Sequence, residues 1–188
     1  NTIKIQEKLP IGVLLNSESG KLNIANYQGS APEKLTGNVY IQNRLDPKSE
    51  ESNPYKDINV GEIKATGDVS IHSIGAINNA NSYDPATVAN AIAIMAKNLE
   101  LAAMGNIGAS EKNLTTDING GTLAAVSEKG SIYIDNLGNG DIYLKNIAAV
   151  AGDVSVKNNQ NIFATSDYLS EIPPYVQAGE TITLISRE

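Results

Sequence analysis

Aliphatic residues recur two apart along most of this chain, and each pair is introduced by a glycine and one small or polar residue. The clearest copies are Gly20-Lys21-Leu22-Asn23-Ile24, Gly37-Asn38-Val39-Tyr40-Ile41, Gly67-Asp68-Val69-Ser70-Ile71, Gly130-Ser131-Ile132-Tyr133-Ile134, Gly140-Asp141-Ile142-Tyr143-Leu144 and Gly152-Asp153-Val154-Ser155-Val156. Lys97-Asn98-Leu99-Glu100-Leu101 keeps the alternation without the glycine. A period of two is that of a strand, so each unit predicts a half-buried β-strand opened by a turn. One face then gathers Leu22, Ile24, Val39, Ile41, Val69, Ile71, Leu99, Leu101, Ile132, Ile134, Ile142, Leu144, Val154 and Val156 into a core column. The opposite face receives Tyr40, Tyr133, Tyr143 and a set of Ser, Asn, Asp and Lys residues.

In the last third of the chain the units begin at 121, 130, 140 and 152. A spacing of about ten residues holds one short strand and one turn, and two units make a coil of about twenty, as in solenoid repeats. An antiparallel sandwich of hairpins gives the same spacing, but tight hairpins favour Asn-Gly or Asp-Gly turns. Only Asn119-Gly120 and Asn139-Gly140 supply them. The parallel solenoid is therefore the expected fold, with the sandwich as the alternative. Residues 26–36, 43–57 and 158–179 are polar, proline-bearing or charged, and read as loops inserted into one continuous unit spanning 1–188. Between 84 and 105, Asp84-Pro85 predicts a short helical turn, after which Ile92/Ile94 and Leu99/Leu101 predict two strands.

Composition reinforces the all-β reading. The 188 residues include 22 Asn, 22 Ile and 16 Gly but one Phe and no Trp, a mixture of strand formers and turn formers with an aliphatic core. The net charge is −7 and the only arginines are Arg44 and Arg187, so no basic stripe exists for nucleic acid or an anionic membrane surface. The longest apolar stretch, Ala86 to Met104, is broken by Asn90, Lys97, Asn98 and Glu100 and does not read as a membrane span. Cysteine is absent, which excludes disulfides, thiolate metal sites and thiol nucleophiles.

From Ala96 to Ile118 the chain reads Ala-Lys-Asn-Leu-Glu-Leu-Ala-Ala-Met-Gly-Asn-Ile-Gly-Ala-Ser-Glu-Lys-Asn-Leu-Thr-Thr-Asp-Ile. Followed by the units at 130–134 and 140–144, this text resembles the filamentous-haemagglutinin-type exoproteins of the two-partner secretion route, and among them the leukotoxin-family filamentous adhesins. The turn Asn106-Ile107-Gly108-Ala109-Ser110 is its most distinctive part, and the likeness covers roughly residues 60–188. The resemblance implies a right-handed parallel β-helix, export through an outer-membrane partner barrel, and a place on or outside a Gram-negative cell. It also implies that this piece is internal to a longer repetitive shaft. Adhesion, virulence and contact with a host-cell protein or glycan are the corresponding functional expectations.

Chemistry is thinly represented. His72 is the only histidine and has no cysteine to share a metal, and Asp68, Asp141 and Asp153 each follow a glycine at a strand entrance, where a short acceptor satisfies turn N–H groups. No catalytic, cofactor-binding or metal-binding residue is assigned. The candidate contact surface consists of the outward tyrosines Tyr40, Tyr133 and Tyr143, together with Arg44, Glu50 and Glu51 of the 43–57 loop. A structural and adhesive shaft segment is thus the expected function, with end-to-end self-association through open strand edges. The alternative is a carbohydrate-active β-helix enzyme, which needs converging acids that the sequence does not display.

Overall fold

Every pairing between the described strands is parallel. The computed structural model describes residues 11–14, 22–24, 38–42, 57–81, 92–165 and 175–187, and places sixteen strands and no helix among them. One sheet runs in the order β1 (Ile11–Leu14), β3 (Val39–Gln42), β5 (Val69–Ser73), β8 (Leu99–Ala103), β10 (Thr122–Ser127), β12 (Ile142–Ala149) and β14 (Ile162–Ala164), with β15 (Tyr175–Ala178) also on β12. The other runs β16 (Ile182–Ser186), β13 (Val154–Asn158), β11 (Ile132–Asn136), β9 (Leu114–Ile118), β7 (Ile94–Ala96), β4 (Ile58–Lys64) and β2 (Leu22–Ile24), with β6 (Ile77–Asn79) on β4. The chain passes from one sheet to the other and back, adding a parallel neighbour to each at every pass. This arrangement is compatible with a parallel β-helix. It excludes the antiparallel sandwich among the described residues, because each crossover is itself a strand of the facing sheet rather than a hairpin. No helix there is long and apolar enough to cross a membrane.

The inward positions stack in register from pass to pass. Val39, Val69, Leu99, Leu123 and Leu144 form one column, and Leu114, Ile134 and Val156 form another in the facing sheet. All twelve aliphatics predicted to face inward whose side chains are described are buried. Leu22 and Ile24 lie on β2, whose side chains are outside the described residues. Each buried aliphatic contributes roughly 1.5–3 kcal/mol of transfer free energy, so the column supplies most of the cohesion between passes.

A second ladder runs along the strand entrances, where the recurring Asp and Asn residues sit. Asn38 Oδ1 accepts the Asp68 N–H at 2.9 Å, Asp68 Oδ1 accepts from Asn98 Nδ2 at 2.7 Å, and Asn98 Oδ1 accepts the Thr122 N–H at 2.9 Å. The facing sheet repeats the device: Asn106 Oδ1 accepts the Ser131 N–H, Ser131 Oγ the Asp153 N–H, and Asp153 Oδ1 the Thr181 N–H. Asp153, and Asp141 through the Asn161 N–H at 3.1 Å, thus satisfy a backbone donor of the following pass, the scaffold role expected of them, while Asp68 holds the Asn98 carboxamide that does so in its turn.

The glycines opening the units serve close approach between passes. A Cβ on Gly121 would stand 1.5 Å from the carbonyl oxygen of Lys97, whereas Gly120, at φ +73°, has nothing within 4 Å of its Cβ position. Gly121→Ala is accordingly expected to cost about 1–3 kcal/mol through backbone displacement, and Gly120→Asn only a few tenths, because Asn adopts the left-handed conformation readily. Chemical denaturation of both variants checks the contrast.

β4 is long enough to pair with both β6, along Ile58–Val60, and β7, along Ile63 and Lys64. The stretch 158–179, expected to be a loop, contains β14 and β15, both on β12. β12 carries a bulge at Lys145, between the parts that pair with β14 and with β15, where Leu123 pairs Leu144 and Ala124 pairs Asn146. Strand β14 was not predicted because Asn161-Ile162-Phe163-Ala164 lacks the opening glycine and the second large aliphatic. The two strands expected after Ile92 are β7 and β8; the helical turn expected after Pro85 falls outside the described residues, as do the loop at 26–36 and the 43–56 part of the next.

Candidate functional site

The outward positions divide between the two sheets, and so do the three tyrosines. Tyr40 stands on the outer face of β3, 41% exposed, in register with Ser70 of β5. Tyr143 lies four strand steps away in the same sheet, about 19 Å at ordinary strand spacing. It stacks on Phe163 of the neighbouring strand, ring centroids 5.4 Å apart and planes at 26°. That contact is the neighbour-to-neighbour aromatic ladder of a sheet, and it covers one face of the Tyr143 ring. Tyr133 is on the other sheet. The structure does not bring the three together, and Arg44, Glu50 and Glu51 lie outside the described residues.

His72 lies on the outer face of β5 between Ser70 and Glu100. Ser70 Oγ is 3.3 Å and Glu100 Oε1 3.5 Å from the same ring nitrogen, Nε2. A nucleophile relay needs the hydroxyl and the carboxylate on opposite ring nitrogens, so that the acid orients the ring while the other nitrogen takes the proton. This cluster lacks that geometry. The adjoining depression of about 210 Å³ lies between Gln42, His72, Ala102, Met104, Val126 and Glu128. Among the described residues no three of His, Cys, Asp and Glu are grouped to hold a metal ion.

The surroundings of Tyr133 are more elaborate. Ile107 pairs Ile132, and Leu114 pairs Ile134, so residues 108–113 occupy the place that Tyr133 alone fills in the following pass. The six residues fold outward into a short turn closed by reciprocal hydrogen bonds between Ala109 and Lys112 at 3.0 and 3.1 Å. Its entrance demands glycine: Gly108 has φ +70°, and a Cβ there would stand 2.2 Å from the Tyr133 carbonyl oxygen. Beside this turn Tyr133, Ser155 and Thr183 align across β11, β13 and β16. The Tyr133 hydroxyl donates to Asp153 Oδ2 at 3.0 Å, fixing the ring, while Oδ1 of the same carboxylate accepts the Thr181 N–H. Together these residues line an open groove of about 320 Å³ with Asn113 and Lys157 at its margin.

In the sequence Tyr133 and the Asn106–Ser110 turn stand out separately, with nothing in either segment that joins them. The signal is one of spacing, since Ile107 and Leu114 are successive inward positions separated by six residues instead of one. Elsewhere on the same sheet Arg187 makes a two-pronged contact with Asp135, both N–O distances 2.9 Å, which ties the chain after β16 back to β11. Comparison of the chain with family models, with curated proteins and with solved structures found no match.

Proposed function

We propose that this chain is a non-catalytic segment of a right-handed parallel β-helix, forming part of the shaft of a large secreted or surface-exposed filamentous adhesin of a Gram-negative bacterium. Its exposed faces and inserted loops make contact with a host-cell protein or glycan, or with another cell. Export through an outer-membrane partner barrel, and a leukotoxin-like or haemagglutinin-like parent, rest on the resemblance carried by residues 96–118 and the units that follow.

The observation that carries the shaft reading is the end strand β16. Among the described residues it pairs with β13 alone, and Ile182 and Leu184 are 48% and 44% exposed where their counterparts Val154 and Val156 are buried. A parallel strand laid on that edge would bury both, in continuation of the same columns. Among the described residues β1 and β2 end the sheets on the opposite side, each parallel to its neighbour, so a second copy can add head to tail without closing.

Two measurements on the 188-residue chain test this. Sedimentation velocity is expected to show concentration-dependent elongated species, and Leu184→Lys, which places a charge on the open edge, to leave the monomer. Binding of labelled chain to animal epithelial cells is expected to be saturable, with no release of reducing sugar from polysaccharides. A compact monomer at all concentrations together with no cell binding would overturn the reading, as would any measured turnover.

A further inference from the structure

We propose that the groove between Tyr133 and the 108–113 turn is a binding site for a neutral oligosaccharide. The proposal deepens the adhesive reading, on which its biological role rests, by naming a place and a ligand class. Its chemistry follows from groups left over when the scaffold is satisfied. Polar side chains at the strand entrances are committed to neighbouring passes, as in the Asn38, Asp68, Asn98 series. In the groove the Asn113 carboxamide, the Ser155 and Thr183 hydroxyls and the Lys157 ammonium make no side-chain hydrogen bond among the described residues. Donors and acceptors thus stand interleaved around one space, with Asp153 as a further acceptor held in place by Tyr133 and Thr181.

Vicinal hydroxyls, each both donor and acceptor, match that set, and the half-buried Tyr133 ring offers the flat apolar face on which a pyranose stacks its C–H side. A peptide is a poorer fit. Strand addition needs a free backbone edge, whereas β11 and β13 are paired on both sides and the open edge of β16 lies beyond them, so a ligand on the outer face over Tyr133 and Ser155 must be read by side chains. An acidic ligand is disfavoured too, because Lys157 is offset by Asp153, no arginine lines the groove, and the chain carries −7 overall. The volume of about 320 Å³ is at the lower end of ligand pockets, and the open side predicts weak individual contacts suited to repetition.

Amide-resolved NMR titration of the 188-residue chain with cellobiose, lactose and maltose, and with glucuronic acid as the charged comparison, is the direct test. At least one neutral disaccharide is expected to shift Tyr133, Asp153, Ser155 and Asn113, saturating in the millimolar range. Tyr133→Ala should weaken that binding at least about tenfold. Asn113→Ala, which removes no internal side-chain hydrogen bond, should also weaken it with the rest of the spectrum unchanged, and carries the test if the Tyr133 variant fails to fold. No shift with any of the three, shifts confined to another face, or preference for glucuronic acid would overturn the proposal. Disaccharide binding by a chain that attaches to no cell would leave the groove standing and overturn the adhesive reading. Undiminished cell attachment by a variant that no longer binds disaccharides would do the reverse to the groove's adhesive role.

Discussion

Ile134→Asp is expected to cost about 3–5 kcal/mol, enough to unfold a marginally stable domain, because it leaves a carboxylate buried without a partner. Ile134 is fully buried and stands in register between Leu114 and Val156, with strands on both sides. Neither water nor a basic group reaches that position in the column. The neighbouring Tyr133→Ser changes an outward side chain: it loses the hydrogen bond to Asp153 and part of a half-buried ring, a loss of about 1 kcal/mol. Urea denaturation followed by far-UV circular dichroism separates the two. Equal losses would mean that the inward and outward faces of β11 are exchanged.

The alternation that supports this contrast was fully legible in the sequence, since strand periodicity depends only on residue order. Every predicted inward aliphatic on β3, β5, β8, β11, β12 and β13 is buried. Parallel pairing was legible from the lack of hairpin dipeptides and the even spacing of units. What escaped were features set by neighbours distant in sequence. One long strand, β4 or β12, pairs two short ones, and no local pattern in Ile77-Asn78-Asn79 or Ile162-Phe163-Ala164 announces it. Tyr133 was visible as an outward aromatic, but the turn that walls its groove comes from the preceding pass. The buried asparagines were missed for a different reason: a polar residue at the end of a strand reads as the start of a turn. Yet Ile132-Tyr133-Ile134-Asp135-Asn136 and Val154-Ser155-Val156-Lys157-Asn158 carry Asn at the third inward position, where period two continues.

Those asparagines carry the second large effect. Asn136 is fully buried where the chain turns out of β11, and its Oδ1 accepts from the Thr116 hydroxyl at 2.9 Å and from the Ile118 N–H at 2.8 Å. Its Nδ2 donates to Asn158 Oδ1 at 2.8 Å, and Asn158 in turn donates to the carbonyls of Gly140 and Asn161. The same column carries Ile94 two passes earlier, so an aliphatic core gives way here to a polar one that satisfies the turns. Asn136→Ala would strip partners from three buried groups at about 1–3 kcal/mol each, and a total loss of at least about 3 kcal/mol is expected. Asn139→Ala, on an exposed turn residue three positions on, should stay within about 0.5 kcal/mol. Because Asn136 and Asn158 share one bond and one network, Asn136→Ala/Asn158→Ala should lose less than the sum of the single variants. Strict additivity in that double-mutant cycle would show the two turns to be independent, and the column would then be a row of separate caps instead of one connected support.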